Sequence, residues 1–95
     1  MVQGVVIENG HIVDTNPATG AVIERVRVST SAEIDAAVAA ARTAQPLWNA
    51  RSLHERTELV KKACAALAGK RQKLAKLITQ EMGKTMAESL EEVDD

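Results

Sequence analysis

Residues 14–45 read DTNPATGAVIERVRVSTSAEIDAAVAAARTAQ, and the fold turns on where their periodicity changes. Asp14 to Gly20 is a turn, in which Pro17 presets φ and Gly20 permits a left-handed exit. Ala21 to Val28 reads as a strand. Val22, Glu24, Val26 and Val28 share one of its faces and Ile23, Arg25 and Arg27 the other, so neither face is cleanly apolar and the strand relies on its neighbours. From Thr30 the period lengthens from two to about 3.6, with Ile34, Ala37, Val38, Ala41 and Ala44 at helical spacing. Thr30-x-x-Glu33 is a capping box in which each side chain satisfies the other residue's backbone N–H, and a helix is predicted over 31–45, stopped by Pro46.

Working outward, Asn9-Gly10 lies between Val5-Val6-Ile7 and His11-Ile12-Val13. Both turn residues tolerate the positive φ of a two-residue type I′ turn, so a hairpin is expected there. Downstream, Ser52-x-x-Glu55 opens a helix over about 53–68 with Val60, Ala63, Cys64 and Leu67 on its apolar stripe and Gly69 as its cap. A further helix over 70–82 aligns Leu74, Leu77, Ile78 and Met82 and ends at Gly83. Thr85-x-x-Glu88 opens the last, over 85–95, with Met86, Leu90 and Val93 apolar. Residues 1–29 are thus expected as strands with the hairpin and the 16–20 turn, and residues 30–95 as a helical segment. The last helix closes on Asp94-Asp95, at a pole that disfavours carboxylates, which suggests a helix left unfinished and a chain that is part of a larger protein.

Composition narrows the function classes. The chain has 95 residues, 45% of them hydrophobic, but sixteen are alanine and Trp48 is the one aromatic. That supports one small domain with a thin core and leaves no room for a complete two-domain enzyme. A net charge of −1 argues against nucleic-acid or anionic-membrane partners. Residues 51–84 carry a local +6 against −7 elsewhere; the basic stretch 61–76 reads as a solvated helix face, because no aromatic residue is interleaved to stack on bases. No uncharged stretch reaches the roughly 20 residues that span a bilayer. With Cys64 alone no internal disulfide forms, and no secretory segment opens the chain, so a reducing, cytoplasmic protein is expected.

No complete catalytic constellation is visible. Cys64 sits four residues after Val60 and three before Leu67 and reads as a buried structural thiol, with Lys61 and Lys62 on other parts of the helix surface. His11 and His54 lack partners at zinc-ligand spacing. Gly83-Lys84-Thr85 ends like a phosphate-binding loop, but Ile78 stands where its first glycine belongs, inside a helix. There is no G-x-G-x-x-G.

Several segments taken together resemble the N-terminal region of the NAD(P)-dependent aldehyde dehydrogenase superfamily. They are Asn16-Pro17-Ala18-Thr19-Gly20 with Ala21 to Val26, Ser31 to Arg42, Trp48 after a proline, Glu55-Arg56 opening a helix, Leu74 to Lys84, Ala87-Glu88 and Glu92-Val93. The resemblance covers about residues 12–95, and it is the ordered combination that makes it specific. It implies an α/β parent with a Rossmann-like NAD(P)-binding domain, of which this chain is the front, and a homo-oligomer, dimer or tetramer. In such a parent a cysteine adds to the aldehyde, hydride passes to the NAD or NADP nicotinamide, and water hydrolyses the thioester to a carboxylic acid. On that basis no catalytic or cofactor-binding residue is expected within this chain, Cys64 does not match the nucleophile, and neither NAD nor NADP is expected to bind the chain alone.

The resemblance carries over one further possibility: a monovalent cation held by Asp14, Thr15 and Glu81. Glu81 shares a helical face with Leu74, Leu77 and Ile78, although a salt bridge or a partly exposed helix end also accounts for it. Two departures, the lack of an aromatic before Trp48 and Thr85 where a proline is usual, prevent a subfamily assignment. The alternative is a stand-alone helical interaction module that docks through the Ala-rich face of 31–45 and the Leu/Ile face of 74–82.

Overall fold

A computed structural model describes residues 5–95, so the expectations for residues 1–4 lie outside the described part. In chain order the elements are β1 (Ile7–Glu8), β2 (His11–Thr15), β3 (Val22–Arg27), α1 (Ser31–Asn49), α2 (Leu53–Ala68), α3 (Arg71–Met82) and α4 (Met86–Asp94). They fall into two compact units. One holds the strands together with Ala68–Asp95, and the other is Ser29–Leu67.

In the first unit an antiparallel sheet runs in the order β1-β2-β3. Asn9 and Gly10 both take positive φ, 50° and 75°, which pairs Ile7 with Ile12 and Glu8 with His11. The next turn is held by its own amides. Asn16 Oδ1 accepts from Ala18 N at 2.8 Å and Thr19 N at 3.3 Å, and Gly20, at φ 76°, donates to Asn16 O at 2.7 Å. The β2–β3 ladder pairs Asp14 with Glu24 and then slips between Asp14 and Thr15, where the strand leaves the sheet.

The helical part of the same unit has a small, partly polar centre. Ala75 of α3 and Ser89 of α4 are fully buried. The Thr79 and Ser89 hydroxyls share a 2.8 Å hydrogen bond, so neither is left unpaired by the close approach of the helices. At the far end Arg71 grips Asp94 through two hydrogen bonds of 2.6 and 2.8 Å. At this helix pole, which disfavours carboxylates, the Asp94 charge is met by a guanidinium from α3.

The second unit is α1 and α2. Thr30 Oγ1 accepts from Glu33 N at 3.1 Å and Ser52 Oγ from Glu55 N at 3.1 Å, as their spacing predicts. The Glu33 carboxylate takes the Thr30 hydroxyl at 3.2 Å, a contact the capping-box reading did not include. Pro46 does not stop α1, which runs on to Asn49. Proline's fixed φ is itself helical, and the turn beyond it closes when Ala50 N donates to Pro46 O at 3.0 Å. Nor does Gly69 supply a left-handed cap. The positive-φ glycines among the described residues are Gly10, Gly20 and Gly83, and Gly69 lies in a turn before α3. No helix among the described residues is long and apolar enough to cross a membrane.

Candidate functional site

The end of β2 meets the end of α3. Gly83 closes α3 in the left-handed region, φ 74°, with its N–H on Thr79 O at 3.0 Å. A Cβ built on Gly83 lies 3.4 Å from Cγ of Pro17, so the Asn-Pro turn rests against this helix end. The contact brings Glu81 to Asp14. Hydrogen bonding to Asp14, followed by partial desolvation and by the Asp14 charge, holds the Glu81 carboxyl above the usual carboxylate range. Glu81 makes no ion pair among the described residues, and its exposure fits a helix-end position. The raised pKa means that the approach of Asp14 favours the protonated form of Glu81 over its carboxylate. No group of three or more His, Cys, Asp or Glu placed to hold a metal occurs among the described residues.

The residues after Gly83 are used structurally. Lys84 pairs with Glu92; that hydrogen bond first, then the Glu92 and Glu88 charges, raises the lysine's pKa. Thr85 Oγ1 caps α4 by accepting from Glu88 N at 3.2 Å. The resemblance to a phosphate loop is thus a helix cap, an ion pair and a second cap in succession.

On the second unit, the end of α1 and one face of α2 form an open groove of about 470 Å³ lined by Trp48, Leu53, Arg56, Thr57, Val60, Lys61 and Cys64. Cys64 is exposed there, which corrects its expected burial: the apolar stripe of α2 exists, but nothing within this unit covers it. Lys61 lines the same groove as Cys64, contrary to expectation, because three residues on a helix bring it onto the same face; its ammonium reaches Glu58 at 3.5 Å. Arg56, which with Glu55 opens α2, also lines this groove. Its Nε is buried with no hydrogen-bond partner among the described residues, a state that costs about 1–3 kcal/mol if left so. The available signal was its place among Leu53, Val60 and Leu67, as a charge set into an apolar stripe at helical spacing.

The first-turn amides of Glu33, Glu55 and Glu88, which open α1, α2 and α4, are taken by Thr30, Ser52 and Thr85, whereas Lys70 gives α3 no side-chain cap.

The sequence profile of the aldehyde dehydrogenase family matches residues 6–95. The chain belongs to the aldehyde dehydrogenase family. It is similar to an N-succinylglutamate 5-semialdehyde dehydrogenase of Chromobacterium violaceum, 40% identical over 79 residues, or 83% of this chain and 16% of that protein. A human mitochondrial methylmalonate-semialdehyde/malonate-semialdehyde dehydrogenase [acylating] is 40% identical over 74 residues, 78% of this chain and 14% of that protein. A betaine aldehyde dehydrogenase of Rhizobium etli is 37% identical over 88 residues, 93% of this chain and 17% of that protein. The chain thus spans about one-sixth of the length of the curated relatives it matches. In this aldehyde dehydrogenase segment the described architecture is a short antiparallel sheet and four helices.

Proposed function

We propose that the chain is the N-terminal segment of an NAD(P)-dependent aldehyde dehydrogenase with a Rossmann-like cofactor domain, and that it is inactive alone. The family match over residues 6–95, with relatives about six times as long, carries this reading. The proposed reaction converts an aldehyde, water and NAD(P)+ to a carboxylate and NAD(P)H, with the nucleophilic cysteine and the cofactor cradle beyond residue 95. The parent is proposed as a cytoplasmic homo-oligomer, and the lone Cys64 supports a reducing setting. Incubating the 95-residue chain with NAD+ or NADP+ and a panel of aldehydes should give no absorbance of reduced cofactor above blank. Turnover by the chain itself would overturn the proposal.

The approach of Glu81 to Asp14 supports a second, compatible reading: a monovalent cation held by Asp14, Thr15 and Glu81. Titrating Na+ and K+ against thermal stability of the parent enzyme should stabilise wild type and leave Glu81→Ala unaffected. An equal response of both proteins would end that reading.

A further inference from the structure

We propose that Met86 is a site of reversible oxidation by peroxide, at which one sulfoxide epimer forms in excess because the Thr79 hydroxyl holds one side of the thioether. Thr79 Oγ1 lies 3.4 Å from Met86 Sδ and 2.8 Å from Ser89 Oγ. A thioether sulfur accepts and cannot donate, so in this contact the one Thr79 proton points at Met86 and Ser89 donates to Thr79. Ser89 is fully buried, and the hydroxyl chain that starts there ends on the sulfur. Met86 is the first residue of α4, directly after the Thr85 cap, so its backbone is fixed where the side chain meets α3.

The other side of the sulfur is open. Met86 is 39% exposed and lines a groove of about 670 Å³ along α3 and the start of α4, together with Lys73, Lys76, Thr79 and Gln80. Oxygen added to one or the other sulfur lone pair gives one or the other epimer, so a donor on one and solvent on the other makes the two products unequal. In the step, the open lone pair attacks one peroxide oxygen: the S–O bond forms, the O–O bond breaks, and the departing hydroxide takes the remaining proton and leaves as water. Sulfur loses two electrons and the peroxide gains them. The new oxygen lies on the groove side, where the Lys73 and Lys76 ammonium groups and the Gln80 amide supply donors for it. A methionine sulfoxide reductase restores the thioether. Met82, at the end of α3, is 66% exposed and makes no hydrogen bond among the described residues, so it is the internal comparison.

The test is mild hydrogen peroxide treatment of the folded full-length protein, with the epimers read on tryptic peptides by the two epimer-specific reductases. Met82 and Met86 fall on separate peptides, 77–84 and the one that begins at Thr85. Both methionines should oxidise, with equal epimers at Met82 and an excess of at least about fivefold at Met86, the factor that one ordinary hydrogen bond supplies. The excess should vanish when the protein is oxidised in urea, since it belongs to the fold. Thr79→Ala should bring the Met86 epimers towards equality, whereas Thr79→Ser keeps the hydroxyl and should preserve the excess. Thr79→Val removes the donor at nearly constant volume and should lower the excess; it is the informative variant if Thr79→Ala does not fold. Equal epimers at Met86 in the folded wild type overturn the proposal, as does an excess that persists in urea or in the donor-free variants. Met86 left unoxidised while Met82 is consumed also overturns it, because the groove is then closed to peroxide in the full-length protein.

Discussion

The carboxyl of Glu81, in the last turn of α3, is held above the usual carboxylate range first by hydrogen bonding to Asp14 at the end of β2. The two acidic groups are distant in sequence, and the Asp14 charge adds to what disfavours ionisation of Glu81. Glu24 stands opposite Asp14 in the β2–β3 ladder and adds further negative charge to the same region. The contact therefore links the sheet to α3 in a pH-dependent way.

Its sign is opposite to that of an ordinary carboxylate pair. The folded-state pKa of Glu81 is raised, so its contribution is fully present below the usual carboxylate pKa and is lost as pH rises through the raised value. Glu81→Gln supplies an uncharged donor to Asp14 and should flatten this dependence, with a melting temperature at neutral pH equal to wild type or higher by under about 5 °C, given the exposure of the site. Thermal melts of both proteins from acid to neutral pH check it. An unchanged pH profile in Glu81→Gln would remove the role assigned to this contact.

Gly83→Ala tests the neighbouring contact. The backbone φ of 74° strains any L side chain, and the new Cβ would sit 3.4 Å from Pro17. A loss of about 1–2 kcal/mol is expected in urea unfolding, mostly from the left-handed backbone, since the Pro17 distance is close to ordinary contact.

Ser89 is fully buried and bonded to Thr79, whose hydroxyl also approaches the Met86 sulfur at 3.4 Å. Ser89→Ala should cost about 1 kcal/mol for the lost hydrogen bond. Ser89→Leu should cost more, about 1–3 kcal/mol or above, by forcing α3 and α4 apart. Urea midpoints that rank the two variants the other way would show that the polar contact, not close packing, dominates this centre.

Arg71 holds the Asp94 carboxyl below the usual carboxylate range, first through the direct hydrogen bonds and then through its charge. This contribution is present above the unfolded carboxylate pKa and is lost as pH falls through the lowered folded value, the reverse of the Glu81 case. Asp94→Asn should loosen the end of α4 at neutral pH and remove the acid and salt dependence of amide protection there, measured relative to the intrinsic exchange rate at each pH. Asp94 is exposed and Arg71 half-buried, so the effect is confined to the last turn.

What was legible in the sequence was what local chemistry determines. Asn9-Gly10 signalled a hairpin because both residues accept positive φ, and Thr30, Ser52 and Thr85 signalled helix starts because their hydroxyls reach amides three residues on. Pro46 misled because its missing N–H counts against a helix interior, yet its φ suits one last turn. Cys64 misled because a periodic apolar stripe shows which face a helix would bury, not whether anything covers it. The Asp14–Glu81 contact joins residues far apart in the chain. Only the family resemblance named them together, and the structure brings them close at the end of α3, where Gly83 meets Pro17. The buried Nε of Arg56 is a property of one atom, which helical spacing does not show.

The central claim, that these residues are the front of a larger aldehyde dehydrogenase, is tested most directly by an intact-mass measurement on the protein from its native source. The account predicts a polypeptide several times heavier than the 95-residue sequence, since the matched relatives are about six times as long. A mass equal to that of the 95 residues would contradict it.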